Sequence, residues 1–119
     1  MLRYINIFLH YARRQWSLAD DTTLHYGGLA KFDRAMLKLE QSYGFLKHKT
    51  VTLNIDNERK IIAFARGGLF FFFNFNPIQS FENHKFNVLN GEYELVLSSD
   101  AAEYGGFDRV QTPQTFYAV

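Results

Sequence analysis

The sequence predicts a mainly β, antiparallel fold, a sandwich or a barrel, preceded by one or two α-helices. Three observations predict it. Apolar residues recur at spacings of three and four up to Tyr43 and then alternate from Thr50 onward, a change from helical to strand period. Short Gly-, Asn- and Asp-containing turns separate the alternating runs, which favours antiparallel neighbours. Five phenylalanines, at positions 70, 71, 72, 73 and 75, make one strand too apolar to leave either face in water. Each Phe that is fully buried contributes roughly 1.5–3 kcal/mol, so both faces of that strand call for a cover.

In chain order, Met1 to His10 is an apolar run broken by Asn6, with no small-residue cleavage site after it, and no signal peptide is read there. The stripe Leu29, Phe32, Met36, Leu39 and Tyr43 predicts an amphipathic helix, with Lys31, Arg34, Lys38 and Glu40 off the stripe. Asp20, Asp21, Thr22 and Thr23 offer N-caps, Gly44 offers a left-handed ending, and Gly27-Gly28 marks a weak point of the helix. Thr50–Ile55 and Lys60–Ala65 read as strands joined by the turn at Asp56–Arg59. Gly67-Gly68 then turns into the phenylalanine strand, whose alternation puts Leu69, Phe71, Phe73 and Phe75 on one side and Phe70 and Phe72 on the other. Ser80–Val88 reads as a polar edge strand. Asn90-Gly91 signals a turn into a strand carrying Tyr93, Leu95 and Leu97, and Thr115–Val119 supplies a short last strand. The helix-to-sheet boundary falls near residues 45–50.

Composition narrows the function classes. A chain of 119 residues is sized for one core. Thirteen basic against 12 acidic residues, a formal charge of +1, provide no broad field for nucleic acid or anionic lipid. Without cysteine there is no disulfide framework, thiolate metal site or thiol nucleophile, which fits a reducing, cytoplasmic setting. No apolar stretch reaches the ~20 residues needed to span a bilayer.

The local constellations have plain readings. Asp100 and Glu103 stand at capping-box spacing for one helical turn ended by Gly105-Gly106, which is preferred to an acid/base or calcium site. His10, His25, His48 and His84 share no metal-ligand spacing, so neither metal nor cofactor is expected. Arg66-Gly-Gly-Leu-Phe-Phe-Phe-Phe73 looks like a base-stacking strand, but stacking on RNA needs a flanking basic surface that this chain lacks. Trp16, Tyr26, Tyr104 and Phe107 have rings that suit the apolar face of a sugar, and Trp16 is weighed more heavily as a packing residue.

Five pieces occur in order: Tyr11-Ala-Arg-Arg-Gln-Trp-Ser-Leu-Ala-Asp20, Phe32-Asp-Arg-Ala-Met-Leu-Lys-Leu-Glu40, Tyr43-Gly-Phe-Leu46, Phe64 to Pro77, and Ser99-Asp-Ala-Ala-Glu-Tyr-Gly-Gly-Phe107. Over roughly Tyr11 to Val110 they resemble the C-terminal part of the glycogen branching enzymes of the alpha-amylase family. The resemblance implies residues 1–47 as a helical segment from the end of a catalytic (β/α)8 barrel. It implies residues 48–119 as a Greek-key-like β-sandwich of alpha-amylase C-terminal type, lacking its last strand or strands. The family cuts an α-1,4 bond and rejoins the chain through an α-1,6 bond, a retaining reaction that needs two carboxyls about 5–5.5 Å apart.

None of the family's catalytic motifs is in this sequence, so the resemblance implies no catalytic residue and no enzyme activity for the chain alone. It implies instead a domain that braces the barrel and shapes access of glycogen-like glucans. The alternative is a stand-alone carbohydrate-binding module. The first ten residues depart from the family pattern, and Gly27-Gly28 stands where bulkier residues are usual. With the barrel as the implied partner, Tyr11, Arg14, Trp16, Phe70 and Phe72 become the candidate interface, and self-association follows if no barrel covers it. Residues 29–43 are the expected cover for Phe70 and Phe72. Neither nucleic acid nor membrane is an expected partner.

Overall fold

The computed structural model describes residues 15–119. Among the described residues two helices come first, α1 (Ser17–Asp20) and α2 (Tyr26–Tyr43), followed by a short 3-10 turn at Phe45–Lys47. Five strands follow: β1 (Val51–Asp56), β2 (Ile61–Arg66), β3 (Leu69–Asn74), β4 (Gly91–Leu95) and β5 (Gln114–Ala118), with a second 3-10 turn at Ala102–Tyr104 between the last two. The strands make two antiparallel sheets, β1-β2-β3 as a meander and β4-β5 as a pair. The mainly β, two-sheet architecture with leading helices is therefore the one the sequence predicts.

α2 ends where its spacing predicts. Gly44 adopts φ +60° and its N–H bonds to the Glu40 carbonyl at 2.7 Å, while the Glu40 carboxylate accepts the Leu46 N–H at 2.9 Å. Its start differs from expectation. The Asp21 carboxylate bonds the Thr23 N–H and hydroxyl in a tight local turn, so it is already engaged before the helix begins. His25 then occupies the cap position with no side-chain hydrogen bond.

The glycine pair has a packing reason. A Cβ on Gly28 would lie 2.5 Å from the Tyr104 carbonyl oxygen, and one on Gly27 would lie 3.0 Å from that of Ala19. The first turn of α2 thus presses backbone to backbone against the 102–104 turn and α1, and the Phe32 ring meets the Tyr104 ring edge-on at 5.4 Å. Bulkier residues would hold these elements apart.

Register assigns the faces of the larger sheet. Ile62 pairs with Phe73 and Phe64 with Phe71, and Ile55 pairs with Ile62 across a bulge that shifts β1 between Thr52 and Asn54. Ile55, Ile62, Phe64, Phe71 and Phe73 therefore share one face. Ile61, Ala63, Phe70 and Phe72 share the other. Among the described residues the buried core consists of Phe45, Ile61 and Ala63, with Ala63 fully covered.

Residues 80–88 form no strand, contrary to the edge-strand expectation. Asn83 takes φ +54°, which breaks an extended run, and the rings of this segment turn inward to cover the sheet. The Phe86 ring lies 4.4 Å from that of Phe72, and His84 packs on Phe86 at 4.8 Å. Asn74 and Asn76 set up this departure, since the Asn76 side-chain oxygen accepts the N–H groups of Ile78 and Gln79 in a turn that redirects the chain past Pro77.

The hinge between β2 and β3 carries a test. Gly67 and Gly68 both have positive φ, but a Cβ on Gly67 would lie 2.7 Å from the Phe45 Cα, whereas one on Gly68 meets open space. Gly68→Ala should cost only the left-handed penalty of about 1–2 kcal/mol. Gly67→Ala should cost about 1–3 kcal/mol more, because it also lifts Phe45 off the sheet. Urea unfolding of the two variants checks the ordering.

Candidate interaction surface

The phenylalanine strand is the centre of the site, and its two faces are treated differently. On the first, the Phe70 ring stands edge-on to Tyr93 of β4 at 4.9 Å, and Phe72 meets Phe86 on one side but stays 50% exposed. The cover for Phe70 and Phe72 thus comes from β4 and from residues 81–88, not from residues 29–43. The physical reason is where α2 lies: its apolar stripe meets the 102–104 turn through Phe32 and Tyr104, while Leu29 and Tyr43 of the same stripe stay exposed. The helical region reaches the sheet through Phe45, just past its end, and it reaches the opposite face.

On that opposite face Phe45 meets Phe71 edge-on at 5.1 Å. Beyond it the rings stack nearly parallel: Phe64 on Phe71 at 4.9 Å, Phe64 on Phe73 at 5.8 Å, and Phe73 on Phe75 at 5.7 Å. Phe75 continues the ladder past β3, its N–H bonding to the Lys60 carbonyl at 2.8 Å. Phe45 covers the Phe71 end of the row. At the other end Phe75 is 63% exposed and Ile55 is 62% exposed. Arg66, on the same face, anchors the covered end: its guanidinium donates to the carbonyls of His48 at 2.8 Å and Leu46 at 2.9 Å. That engages two of its five N–H donors on backbone carbonyls.

The structure places the expected interface residues apart from this row. Tyr11 and Arg14 lie outside the described residues. Trp16 is largely exposed in the turn ahead of α1, and Phe70 and Phe72 lie on the other sheet face. The residues the sequence reading passes over are Ile55, Ile62, Phe64 and Phe45. Their signal was the pairing register, which alternation within one strand does not reveal.

The Asp100 carboxylate has a structural part, though not the one its spacing suggests. Asp100 does not cap the 102–104 turn. Ala101 occupies that position without a side-chain bond, though Gly105 ends the turn with φ +87° as its spacing predicts. The Asp100 carboxylate instead accepts the Phe107 and Arg109 N–H groups at 3.2 and 2.9 Å and the Arg109 guanidinium at 2.8 Å. Arg109 reaches on to the Ser80 hydroxyl at 3.1 Å, tying residues 98–109 to the 75–90 segment. These bonds, the Arg109 guanidinium foremost, hold the Asp100 carboxyl well below the usual carboxylate range.

Elsewhere Arg59 stacks over Phe81 at 5.6 Å and approaches His84 Nδ1 at 3.2 Å beside a shallow cleft. Among the described residues no group of three or more His, Asp or Glu side chains could hold a metal ion. No helix there is long and apolar enough to cross a membrane.

Comparison with known proteins places this geometry. A family described as "Alpha amylase, C-terminal all-beta domain" matches residues 53–119, from β1 through β5. The chain is 40% identical over 115 residues to a 1,4-alpha-glucan-branching enzyme of Rhizophagus irregularis, covering 95% of this chain and 17% of the relative. It is 44% identical over 111 residues to that of Equus caballus, with 92% and 16% covered, and 40% identical over 109 residues to that of Saccharomyces cerevisiae, with 90% and 16% covered. The similarity therefore runs through the helices as well as the sheets. The chain spans about one-sixth of the length of these relatives.

The Asp100 clasp has a pH signature. With its carboxyl depressed in the folded state, the unfolded chain binds more protons in acid, so this contribution is present above the ordinary carboxylate range and lost as pH falls. Asp100→Asn should lower the thermal midpoint at neutral pH and flatten its fall between about pH 5 and about pH 2. Calorimetric scans across that range check the sign.

Proposed function

The chain belongs to the family of alpha amylase C-terminal all-beta domains, and on that premise we propose that it serves as the non-catalytic C-terminal domain of a 1,4-alpha-glucan-branching enzyme. Its role is to brace the larger catalytic part of such an enzyme, the (β/α)8 barrel, in glycogen biosynthesis. Residues 1–47 belong with the end of the barrel and residues 48–119 with the β domain.

The observation that carries this reading is the extent of the similarity: 90–95% of this chain at 40–44% identity, against one-sixth of each relative. Four of the twelve carboxylates are engaged locally and fit no acid role. A retaining glucan transfer needs one carboxyl that stays protonated to act as acid. Asp21 and Asp100 are held below the ordinary range by their hydrogen bonds. Asp56 accepts the N–H groups of Glu58 and Arg59, and Glu40 that of Leu46. Each of these four therefore fastens its own loop.

Two measurements test the reading. The purified chain incubated with amylose should leave the iodine-complex absorbance unchanged. Substituting this chain for the matching region of the Saccharomyces cerevisiae relative should preserve branching activity that deletion of the region abolishes. Branching by the chain alone would overturn the non-catalytic role. A deletion that leaves activity intact would overturn the bracing role.

A further inference from the structure

We propose that the Asn90-Gly91 link at the start of β4 is a site of spontaneous succinimide formation, and that its isoaspartyl product unfastens Tyr93 from Phe70. The site stands apart from the function just given and needs nothing but water.

The chemistry requires a side-chain amide free to turn and a following backbone nitrogen with room around it. Once base has taken the proton of the Gly91 N–H, that nitrogen attacks Asn90 Cγ. The N–Cγ bond forms, the Cγ–Nδ2 bond breaks, and Nδ2 takes a proton from water and leaves as ammonia. Water then opens the ring at one of its two carbonyls. Attack at Cγ leaves aspartate in an ordinary backbone, whereas attack at the main-chain carbonyl leaves isoaspartate, with the chain running through the side-chain carbon. Nothing is oxidised or reduced.

Three observations select Asn90. First, of the seven asparagines among residues 15–119 it alone precedes glycine. Asn54, Asn57, Asn74, Asn83 and Asn87 are followed by residues whose side chains crowd the attacking nitrogen, and Pro77 after Asn76 has no N–H to give up. Second, a Cβ on Gly91 would meet nothing within 4 Å, so the ring closes into open space. Third, Asn90 is exposed in a bend beside Leu89, itself 82% exposed, and among the described residues no hydrogen bond holds its carboxamide. The carboxamides of Asn74 and Asn76 are held, by the Gln79 and Arg59 carbonyls.

Position decides what the two products do. The Tyr93 hydroxyl donates to the Leu89 carbonyl, a bond that spans the Asn90-Gly91 link, and the same tyrosine ring meets Phe70 edge-on at 4.9 Å. β4 pairs with β5 alone, with Gly91 opposite Ala118 and Tyr93 opposite Phe116. Isoaspartate adds a carbon to the backbone inside the loop that the Tyr93 hydroxyl closes. Either Tyr93 then loses the Leu89 carbonyl or Gly91 leaves its place opposite Ala118. Aspartate keeps the backbone length and both contacts.

The experiment ages the purified 119-residue chain in warm buffer at neutral and at mildly alkaline pH. Peptide mass spectrometry locates the amide-to-acid gain, and an L-isoaspartyl methyltransferase with S-adenosylmethionine counts isoaspartate. The gain should fall on Asn90 before any other asparagine and quicken with alkali, because attack needs the deprotonated Gly91 nitrogen. Asn90→Gln, which must close a larger ring, should convert at least about tenfold more slowly. The isoaspartyl fraction, separated by ion exchange, should unfold about 3–6 °C below the fresh chain, the shift expected for loss of a single hydrogen bond. Asn90→Asp should match the fresh chain.

Conversion at Asn57, Asn83 or Asn87 ahead of Asn90 would overturn the choice of site. Conversion of Asn90 more than about tenfold slower in the folded chain than in urea would overturn it too, since the fold would then shield the link. An isoaspartyl fraction that unfolds with the fresh chain, or an Asn90→Asp variant that unfolds as early as that fraction, would overturn the unfastening of Tyr93.

Discussion

The two-sided hydrophobicity of β3 is the constraint on which the rest of the structure depends. A strand with large aromatics on both faces gains stability from each ring that is covered, so the chain brings material to each side of it. β4 and the irregular segment 81–88 supply one cover through Tyr93 and Phe86. Ala63 and Ile61 of β2 become fully or almost fully buried as a result. The other side receives Phe45 at one end and keeps its remaining aromatics in a stacked row.

The devices around this core serve it by fixing backbone rather than by adding apolar area. Arg66 ties the end of β2 to the carbonyls at residues 46 and 48, and Gly67 lets Phe45 approach within the width of a side chain. Asp100 and Arg109 gather residues 98–109 into one clasp and pin it to Ser80. The segment that covers Phe72 is thus held at its N-terminal end, by the Asn76 turn and by the Arg109 contact with Ser80. An irregular segment needs such anchors because it has no ladder of its own.

Sequence reading recovered the elements whose signal is local. The helical stripe ending at Gly44, the paired strands from Val51 to Asn74, the start of β4 at Gly91 and the last strand all follow from periodicity and turn chemistry. It failed where the deciding partner lies far along the chain. Residues 80–88 alternate like a strand, yet their aromatics are worth more as a cover for Phe72 than as a ladder, and Asn83 breaks the run. Asp100 has capping spacing, but a guanidinium nine residues away competes more strongly for its carboxylate than a turn N–H does. Gly27-Gly28 reads as a weak helix and is a close contact with a turn more than 70 residues downstream.

By itself, then, the sequence determined that this protein is a helix-led, antiparallel β domain with a phenylalanine strand apolar on both faces, because side-chain period and turn residues act within a few positions. Which rings meet each face was decided only by tertiary structure. That choice depends on strand register and on where α2 packs, and both are set by contacts between residues distant in the chain. Phe45 therefore meets the face of Phe64, Phe71 and Phe73, while Tyr93 and Phe86 meet that of Phe70 and Phe72.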